Sequence, residues 1–226
     1  MDLGLAGKKA VITGSTRGIG RAIANLLADE GVDLAICSRN QDEVNRAVSE
    51  LSAKGVKVTG AAVDVADKSS YQAWITSAGE ELGGIDIFIP NVSAGGGNMS
   101  EEGWENAFNI DMLGTTRGVE AATPFLQQSD AGAIVIISST AGVVDFMGPQ
   151  PYNAIMGALV IHAKGLSQAL AGSGIRVNCV SPGPIFIEGG AWDCIKNNMA
   201  EIYDSTLAQI PRGSMGSAEE VANAVA

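Results

Sequence analysis

The sequence has few cysteines, one histidine and few basic residues. The three cysteines, Cys37, Cys179 and Cys194, form no C-x-x-C pair, which argues against a disulfide framework or a zinc site. A single histidine, His162, excludes chemistry built on several histidines, and we predict no metal site. The sequence has only 14 basic residues and 25 acidic ones, which gives a formal net charge of -11. We therefore expect neither nucleic acid nor an anionic membrane as a partner.

Long hydrophobic runs are also missing. The N-terminal residues lack the apolar run of a signal peptide, and no stretch is long enough to cross a membrane. We therefore expect a cytoplasmic protein with no membrane partner. The chain has 226 residues and is 46% hydrophobic, which suits a globular protein with one well-buried core. We predict a single domain over residues 1–226.

Short apolar runs alternate with longer helical patterns. The runs typical of strands covered on both faces lie at residues 10–12, 34–36, 56–63, 85–89, 133–137 and 175–180. Helical spacing of apolar residues marks segments 21–30, 42–54, 69–82 and 104–126. This order predicts an α/β fold, a doubly wound parallel sheet (Rossmann fold) in three layers, α/β/α. Ligands of such sheets bind at the carboxyl ends of the strands.

A glycine-rich turn follows the first strand and leads into a helix. Its residues are Gly14, Ser15, Thr16, Arg17, Gly18, Ile19 and Gly20. Glycines allow the backbone to approach a pyrophosphate closely, and the helix N-terminus supplies unpaired N–H groups and partial positive charge. Because the turn lies between a strand and a helix, we interpret it as a dinucleotide-binding site rather than an ordinary turn.

The second strand ends in Cys37-Ser38-Arg39, where an NAD-selective site usually has an acidic residue. Arg39, together with Arg17, offers charge-assisted hydrogen bonds to a ribose 2′-phosphate. The alternative is two solvated surface arginines. We predict NADP(H) as the cofactor and leave NAD(H) open.

Further motifs follow in order along the chain. They are Asp64-Val65 after the third strand, Asn91 after the fourth, Ser138-Ser139 after the fifth, Tyr152-Asn153-Ala154 at the start of a helix, and residues 176–185 around the sixth strand. With the glycine-rich turn, these motifs make the sequence from about residue 8 onward resemble the short-chain dehydrogenase/reductase family, in its 3-oxoacyl reductase-like subgroup.

The resemblance implies a role for each matching residue. Tyr152 would be the general acid or base, and Ser139, 13 residues earlier, would hydrogen-bond the substrate carbonyl. The resemblance also implies subunit assembly as a homodimer or homotetramer. It places the following residues at the cofactor: Asp64, Val65, Asn91, Ser93, Pro182, Gly183 and Ile185.

Two catalytic positions depart from the family pattern. The residue four after the tyrosine is Met156 where the family has lysine, and positions i and i+4 share one helix face. A charge about 4 Å away, at an effective dielectric constant of about 20, contributes up to about 4 kcal/mol. We therefore expect Tyr152 to stay protonated at neutral pH. Asp111 aligns with the family's asparagine, although Asn109 offers another register.

Other departures concern the cofactor contacts and the end of the chain. The usual Asn-Ala-Gly reads Asn91-Val92-Ser93, and Ile187 replaces a threonine, so we expect weaker cofactor contacts there. Residues 186–210 match the segment that covers the substrate in the family, and their aromatic residues suggest a mainly apolar lid. The resemblance implies a further strand beyond residue 226, so we expect either that this tail is absent from the given sequence or that the chain is shorter than its relatives.

These observations favour an NADP(H)-dependent oxidoreductase that transfers hydride between the nicotinamide and a carbonyl compound or secondary alcohol. Met156 predicts reduced activity. The alternative is a catalytically impaired NADP-binding protein that acts as a sensor or as the inactive partner in an oligomer. Non-redox use of the same pocket has the least support, since Ser139 and Tyr152 are both present. The sequence does not select one small-molecule substrate.

Overall fold

The computed structural model describes residues 3–226; residues 1 and 2 of the predicted domain lie outside them. Within this range six parallel strands form one sheet. They are β1 (Lys9–Thr13), β2 (Asp33–Ser38), β3 (Val58–Ala62), β4 (Ile87–Ile89), β5 (Ala133–Ile137) and β6 (Arg176–Val180). The order is β3-β2-β1-β4-β5-β6, so the winding reverses between β1 and β4. The predicted doubly wound sheet is confirmed.

Helices cover both faces of this sheet. They are α1 (Gly18–Asp29), α2 (Gln41–Ser52), α3 (Lys68–Leu82), α4 (Glu101–Ala107), α5 (Gly114–Leu126), α6 (Pro151–Ala169), α7 (Ala191–Asn198), α8 (Ala200–Gln209) and α9 (Ala218–Val225). Alternate strand residues face opposite layers. Val11 and Phe88 join the hydrophobic cluster under α3, α5 and α6, whereas Ile12 and Ile89 join the cluster under α1 and α9. The three predicted layers are present.

The helix predicted over residues 104–126 requires a correction, because it is not one regular helix. It begins earlier, at Glu101, where the Ser100 side chain accepts a hydrogen bond from the Gly103 N–H. A π-helical segment, Phe108–Leu113, then separates α4 from α5. Such segments are rare and often occur at functional sites. This one carries Asp111, one of the two unusual catalytic positions.

The last helix within residues 3–226, α9, begins at Ala218. Ser217 and Glu220 form a reciprocal capping box at the start of α9, which satisfies N–H groups that a helix start leaves unpaired. Among residues 3–226, β6 has β5 as its sole neighbour and so forms one edge of the sheet.

Candidate active site

The glycine-rich turn packs too tightly for larger residues. Gly14 and Gly18 have positive φ angles of 64° and 61°, in the left-handed region that favours glycine. A Cβ atom at Gly20 would collide with the carbonyl oxygen of Gly14 and with the Asn91 amide. The Asn91 Nδ2 group donates to the carbonyl oxygens of Thr13 and Gly14, each at 3.1 Å. Asn91 therefore ties the turn to the end of β4.

The start of α1 is open toward a ligand. Arg17 occupies the N-cap position, and within the described part of the chain no side chain caps this helix end. The first N–H groups of a helix are unpaired and carry partial positive charge. Thr13, which the sequence analysis did not select, fixes the floor of this site, because its Oγ1 accepts from the Asn91 N–H at 2.9 Å.

The side expected to hold the adenosine ribose carries two available arginines. Arg17 and Arg39 are both exposed, and the ion pairs found among residues 3–226 involve other side chains. Thr16 donates from its Oγ1 to Glu43 Oε2 at 3.0 Å. An acidic residue therefore contacts the turn, from α2 rather than from the end of β2.

The next expected cofactor contacts lie after β3. Asp64 is exposed and its Oδ1 accepts from the Ala66 N–H at 2.9 Å. Val65 is buried and lies close to Gly114, whose absent Cβ would come within 3.2 Å of a Val65 methyl group. Asp64 is therefore free to face a ligand, whereas Val65 also anchors the loop to α5.

A short turn after β5 holds Ser139 against α6. The Ser138 Oγ donates to the Met156 carbonyl oxygen at 2.8 Å, and a Cβ at Gly142 would overlap the backbone of Met156 and Gly157. Ser139 begins this turn, and its Oγ accepts from the Ala141 N–H at 3.1 Å. The close approach places the Ser139 hydroxyl beside the first turn of α6, which carries Tyr152.

The phenol of Tyr152 is held in its neutral form. Burial raises its pKa above the usual 10.0, the neighbouring Ser139 hydroxyl lowers it, and the negative charge of Asp111 raises it. The structure therefore brings Ser139, Tyr152 and Asp111 into one electrostatically coupled site. A neutral phenol can donate a proton but is a poor base.

Met156 lies in the interior, where a lysine would have supplied charge. Its side chain is 2% exposed and belongs to the hydrophobic cluster against which Tyr152 packs. A thioether offers neither positive charge nor a hydrogen-bond donor. The position is therefore apolar in its surroundings as well as in its side chain.

Asp111 is an unusual buried carboxyl. It is 1% exposed, and its Oδ2 accepts from the Ala94 N–H at 2.9 Å. Desolvation raises its pKa from 3.8 to about 6, partly offset by the Ser93 hydroxyl and the Ala94 N–H. Ser93, predicted at the cofactor, thus also lies beside Asp111.

The loop after β6 returns to both halves of the site. The Thr140 N–H donates to the Pro182 carbonyl oxygen at 2.9 Å, which joins the loop to the Ser139 turn. Ile185 pairs with Gly216 in an isolated parallel bridge. The Ile187 side chain lies over the glycine-rich turn, 3.5 Å from where a Gly18 Cβ would be. The loop therefore contacts the Ser139 turn through Pro182 and the glycine-rich turn through Ile187, whereas a role of Pro182, Gly183 and Ile185 at the cofactor stays a prediction.

A buried glutamine, which the sequence analysis missed, joins two loops near Tyr152. Gln150 is 6% exposed. Its Oε1 accepts from the Gly97 N–H at 3.0 Å, and its Nε2 donates to the Phe146 carbonyl oxygen, also at 3.0 Å. Asn153 donates to the same oxygen at 2.9 Å. Nothing in the local pattern marks Gln150, since a glutamine before a helix-starting proline is typical of an exposed position.

The segment expected to act as a lid contacts this loop through aromatic rings. The Phe146 and Trp192 centroids are 5.8 Å apart, and those of Trp192 and Tyr203 are 6.4 Å apart. The Lys196 ammonium lies over the Phe186 ring, 5.4 Å from its centroid. The segment is therefore aromatic but not uniformly apolar.

The crevice thus joins an anion-binding helix start to a serine and a neutral phenol, which is the arrangement of a nucleotide-dependent oxidoreductase. Residues 14–226 match the family model described as enoyl-(acyl carrier protein) reductase. The chain belongs to the short-chain dehydrogenase/reductase family, whose members carry out pyridine-nucleotide-dependent oxidation and reduction of alcohols and carbonyl compounds.

Curated relatives and solved structures agree with this assignment. Isoepoxydon dehydrogenase patN of Penicillium expansum is 35% identical over 99% of this chain and 88% of its own length. The 3-oxoacyl-[acyl-carrier-protein] reductase FabG of Staphylococcus aureus is 32% identical over 97% of this chain and 89% of its own. L-Sorbose reductase from Gluconobacter frateurii, solved with NADPH and L-sorbose, superposes with a TM-score of 0.89 at 31% identity, covering 100% and 90% of the two chains.

Proposed function

We propose that this protein is an NADP(H)-dependent oxidoreductase that transfers hydride between the nicotinamide and a carbonyl compound or secondary alcohol. The observation that carries the proposal is the placement of Ser139 beside Tyr152, on a turn locked to α6 by Ser138 and Gly142. The glycine-rich turn fits a dinucleotide, because a Cβ at Gly20 has no room and the start of α1 has no side-chain cap.

Each side chain of the proposed site has a separate task. When bound, the nicotinamide supplies or accepts the hydride. Ser139 donates a hydrogen bond to the substrate oxygen, and Tyr152 donates its proton to that oxygen during reduction. Since the pKa of Tyr152 is raised, reduction is favoured over oxidation, which needs the phenolate.

The preference for NADP(H) over NAD(H) is supported by Arg17 and Arg39. Both guanidinium groups are exposed and available to a 2′-phosphate, and guanidinium binds phosphate through paired hydrogen bonds. The L-sorbose reductase, 31% identical to this chain, was solved with NADPH. The remaining expected cofactor contacts, from Asp64 to Ile185, stay predictions.

A second candidate function is supported by Met156. Its buried, uncharged side chain leaves the Tyr152 phenolate without a nearby cation, so the protein would bind NADP(H) with little turnover, as a sensor or an inactive partner. The two candidates share the cofactor and differ in the chemistry.

NADPH fluorescence, followed in the same sample by NADPH oxidation with a panel of ketones, separates these candidates. Binding with turnover supports the enzyme. Binding without turnover at any pH supports the second candidate. An absence of binding contradicts both.

We further propose a homodimer or homotetramer located in the cytoplasm. Support for assembly comes from large apolar side chains exposed near or on α4 and α6, namely Trp104, Phe108 and Ile161, the last 73% exposed. The three cysteines are free thiols, which suits a reducing compartment. None of the helices in residues 3–226 has the length and apolar character to span a bilayer. Light scattering measures the assembly state directly.

A further inference from the structure

Gln150 is a buried amide at the start of the helix that carries Tyr152. It occupies the N-cap position of α6, where its carbonyl oxygen accepts from the Ala154 N–H. Its side chain does not cap the helix and is 6% exposed. Burying an amide costs free energy unless its hydrogen bonds are made, so the partners of this side chain indicate its role.

The first partner is the loop of residues 95–97, which follows β4. The Gln150 Oε1 accepts from the Gly97 N–H at 3.0 Å. In the described part of the chain no other hydrogen bond joins these three glycines to a distant residue. A Cβ at Gly96 would lie 2.8 Å from the Gln150 Oε1 and 3.6 Å from the Tyr152 Cβ. The loop therefore packs against both Gln150 and Tyr152.

The second partner is the loop of residues 143–149, which follows β5. The Gln150 Nε2 donates to the Phe146 carbonyl oxygen at 3.0 Å. Asn153, on the first turn of α6, donates to the same oxygen at 2.9 Å. Met147 has a φ angle of 56°, a conformation that costs a non-glycine residue free energy and persists where the surroundings hold it. The two amides therefore help to fix this loop in a strained conformation.

The loop of residues 143–149 in turn contacts the segment expected to act as a lid. The Phe146 and Trp192 ring centroids are 5.8 Å apart, and aromatic pairs at this separation attract each other. Trp192 lies on α7. Both loops held by Gln150 follow the carboxyl ends of parallel strands, which is where ligands of such sheets bind. One buried side chain thus joins two loops of the crevice, and one of these loops contacts the lid.

Building on the proposed function, we propose that Gln150 is a positioning residue that shapes the substrate crevice beside Tyr152. It holds residues 95–97 against the tyrosine and holds Phe146 in contact with the lid. It acts through these two loops and not on the reacting atoms. Loss of its amide should therefore weaken the binding of the ketone and leave the chemical step and NADPH binding nearly unchanged.

The kinetic test is Gln150→Met, which nearly keeps the size of the side chain and removes both hydrogen bonds. The KM of a ketone should rise by about tenfold, while kcat and NADPH affinity stay within about threefold. A merely structural role would instead lower kcat and the fraction of protein that binds NADPH, with the ketone KM unchanged. That result would overturn the proposal.

Gln128→Met is the matched control for this substitution. Gln128 is exposed just after α5, and its amide donates to the Pro124 carbonyl oxygen of the same helix. The substitution therefore removes a glutamine hydrogen bond away from the crevice. It should leave the ketone KM at the wild-type value, and an equal rise in both variants would overturn the assignment to Gln150.

A second measurement does not depend on turnover. The sequence has three tryptophans, so Trp74→Phe and Trp104→Phe leave Trp192 as the single one. In that background Gln150→Met should shift the fluorescence emission to longer wavelength, because Trp192 loses its contact with Phe146 and becomes more exposed to water. The control variant should show no shift. Unchanged Trp192 emission in Gln150→Met would overturn the proposal.

The two measurements also separate this proposal from the proposed function. Wild-type protein that binds NADPH but reduces no ketone would contradict the oxidoreductase, and the Trp192 emission would still test whether Gln150 holds the lid. A rise in the ketone KM together with a shift of the Trp192 emission supports both.

Discussion

The cofactor side and the proton side of the crevice depend on different parts of the protein, the backbone and the side chains. The cofactor side depends on backbone: Gly14 and Gly18 have positive φ angles, and Gly20 has no room for a Cβ. The proton side depends on the side chains of Tyr152 and Asp111, which are shifted toward their neutral forms. Backbone shape tolerates few substitutions, whereas single side chains can change the chemistry without changing the fold. Cofactor binding and proton transfer are therefore separable in this molecule.

The same contrast appears in the electrostatics. The helix start offers partial positive charge from its backbone N–H groups, and the exposed Arg17 at its N-cap adds a guanidinium group. The proton side has Met156 where the family has lysine, so the first turns of α6 supply no cation to Tyr152. A substitution on the proton side should therefore leave cofactor binding nearly unchanged, and a substitution on the cofactor side should leave proton transfer nearly unchanged.

Among these variants Tyr152→Phe should produce the largest effect. It should impair proton transfer without changing cofactor binding. Removing the phenolic proton should lower ketone reduction by roughly 10²- to 10⁴-fold, the range for loss of a general acid. NADPH affinity, measured by fluorescence titration, should stay within about twofold, since the glycine-rich turn is untouched. A variant that retains most of its turnover would show that another group supplies the proton.

Asp111→Asn should stabilise the fold in a pH-dependent way. The folded pKa of about 6 lies above the usual 3.8, so the folded state binds the proton more tightly and stability falls as the pH rises between these values. Removing the buried charge should raise the free energy of unfolding at neutral pH by up to about 3 kcal/mol and leave it nearly unchanged near pH 4. Urea unfolding at both pH values measures this.

Asp130→Asn is the matched control, because Asp130 is exposed and pairs with Lys8; this variant should lack the gain at neutral pH. Destabilisation of Asp111→Asn at neutral pH would mean that the ionised carboxyl is favoured by the fold, and the contrast between the two sides of the crevice would then fail.

Arg39→Asp should affect the cofactor side alone. Loss of a charge-assisted hydrogen bond to the 2′-phosphate costs about 2 kcal/mol, or about thirtyfold in NADPH affinity, with little change for NADH. Arg46→Asp is the matched control, because Arg46 is exposed like Arg39 but lies on α2; this variant should change the affinity for neither cofactor. Equal losses for both cofactors would contradict the assignment of Arg39.

The sequence predicts most of this fold because its signals are local. Continuous apolar runs identify all six strands, and the glycine-rich turn follows from its position between β1 and α1. The Ser139 and Tyr152 pair follows from the resemblance. The π-helical segment at residues 108–113 could not be predicted, because α- and π-helices place apolar residues at similar spacing over so short a segment.

Buried polar contacts are the other part that the sequence does not show. Gln150 and Asn153 both donate to the Phe146 carbonyl oxygen, and neither amide differs in local pattern from an exposed one. Within residues 3–226 the Oδ1 of Asp111 has no hydrogen-bond partner, and this likewise depends on tertiary packing and not on neighbouring residues in the sequence. Roles that depend on burial therefore require coordinates, whereas roles that depend on backbone turns do not.

The most direct test of whether cofactor binding and proton transfer are separable compares the wild type with Met156→Lys. For each protein, NADPH binding is measured first and ketone reduction at neutral pH second. A nearby cation contributes up to about 4 kcal/mol to a phenolate, so we predict similar NADPH affinity and at least about tenfold faster turnover in the lysine variant. Comparable turnover in both proteins would contradict the account, because the site would then support Tyr152 without a charge at position 156.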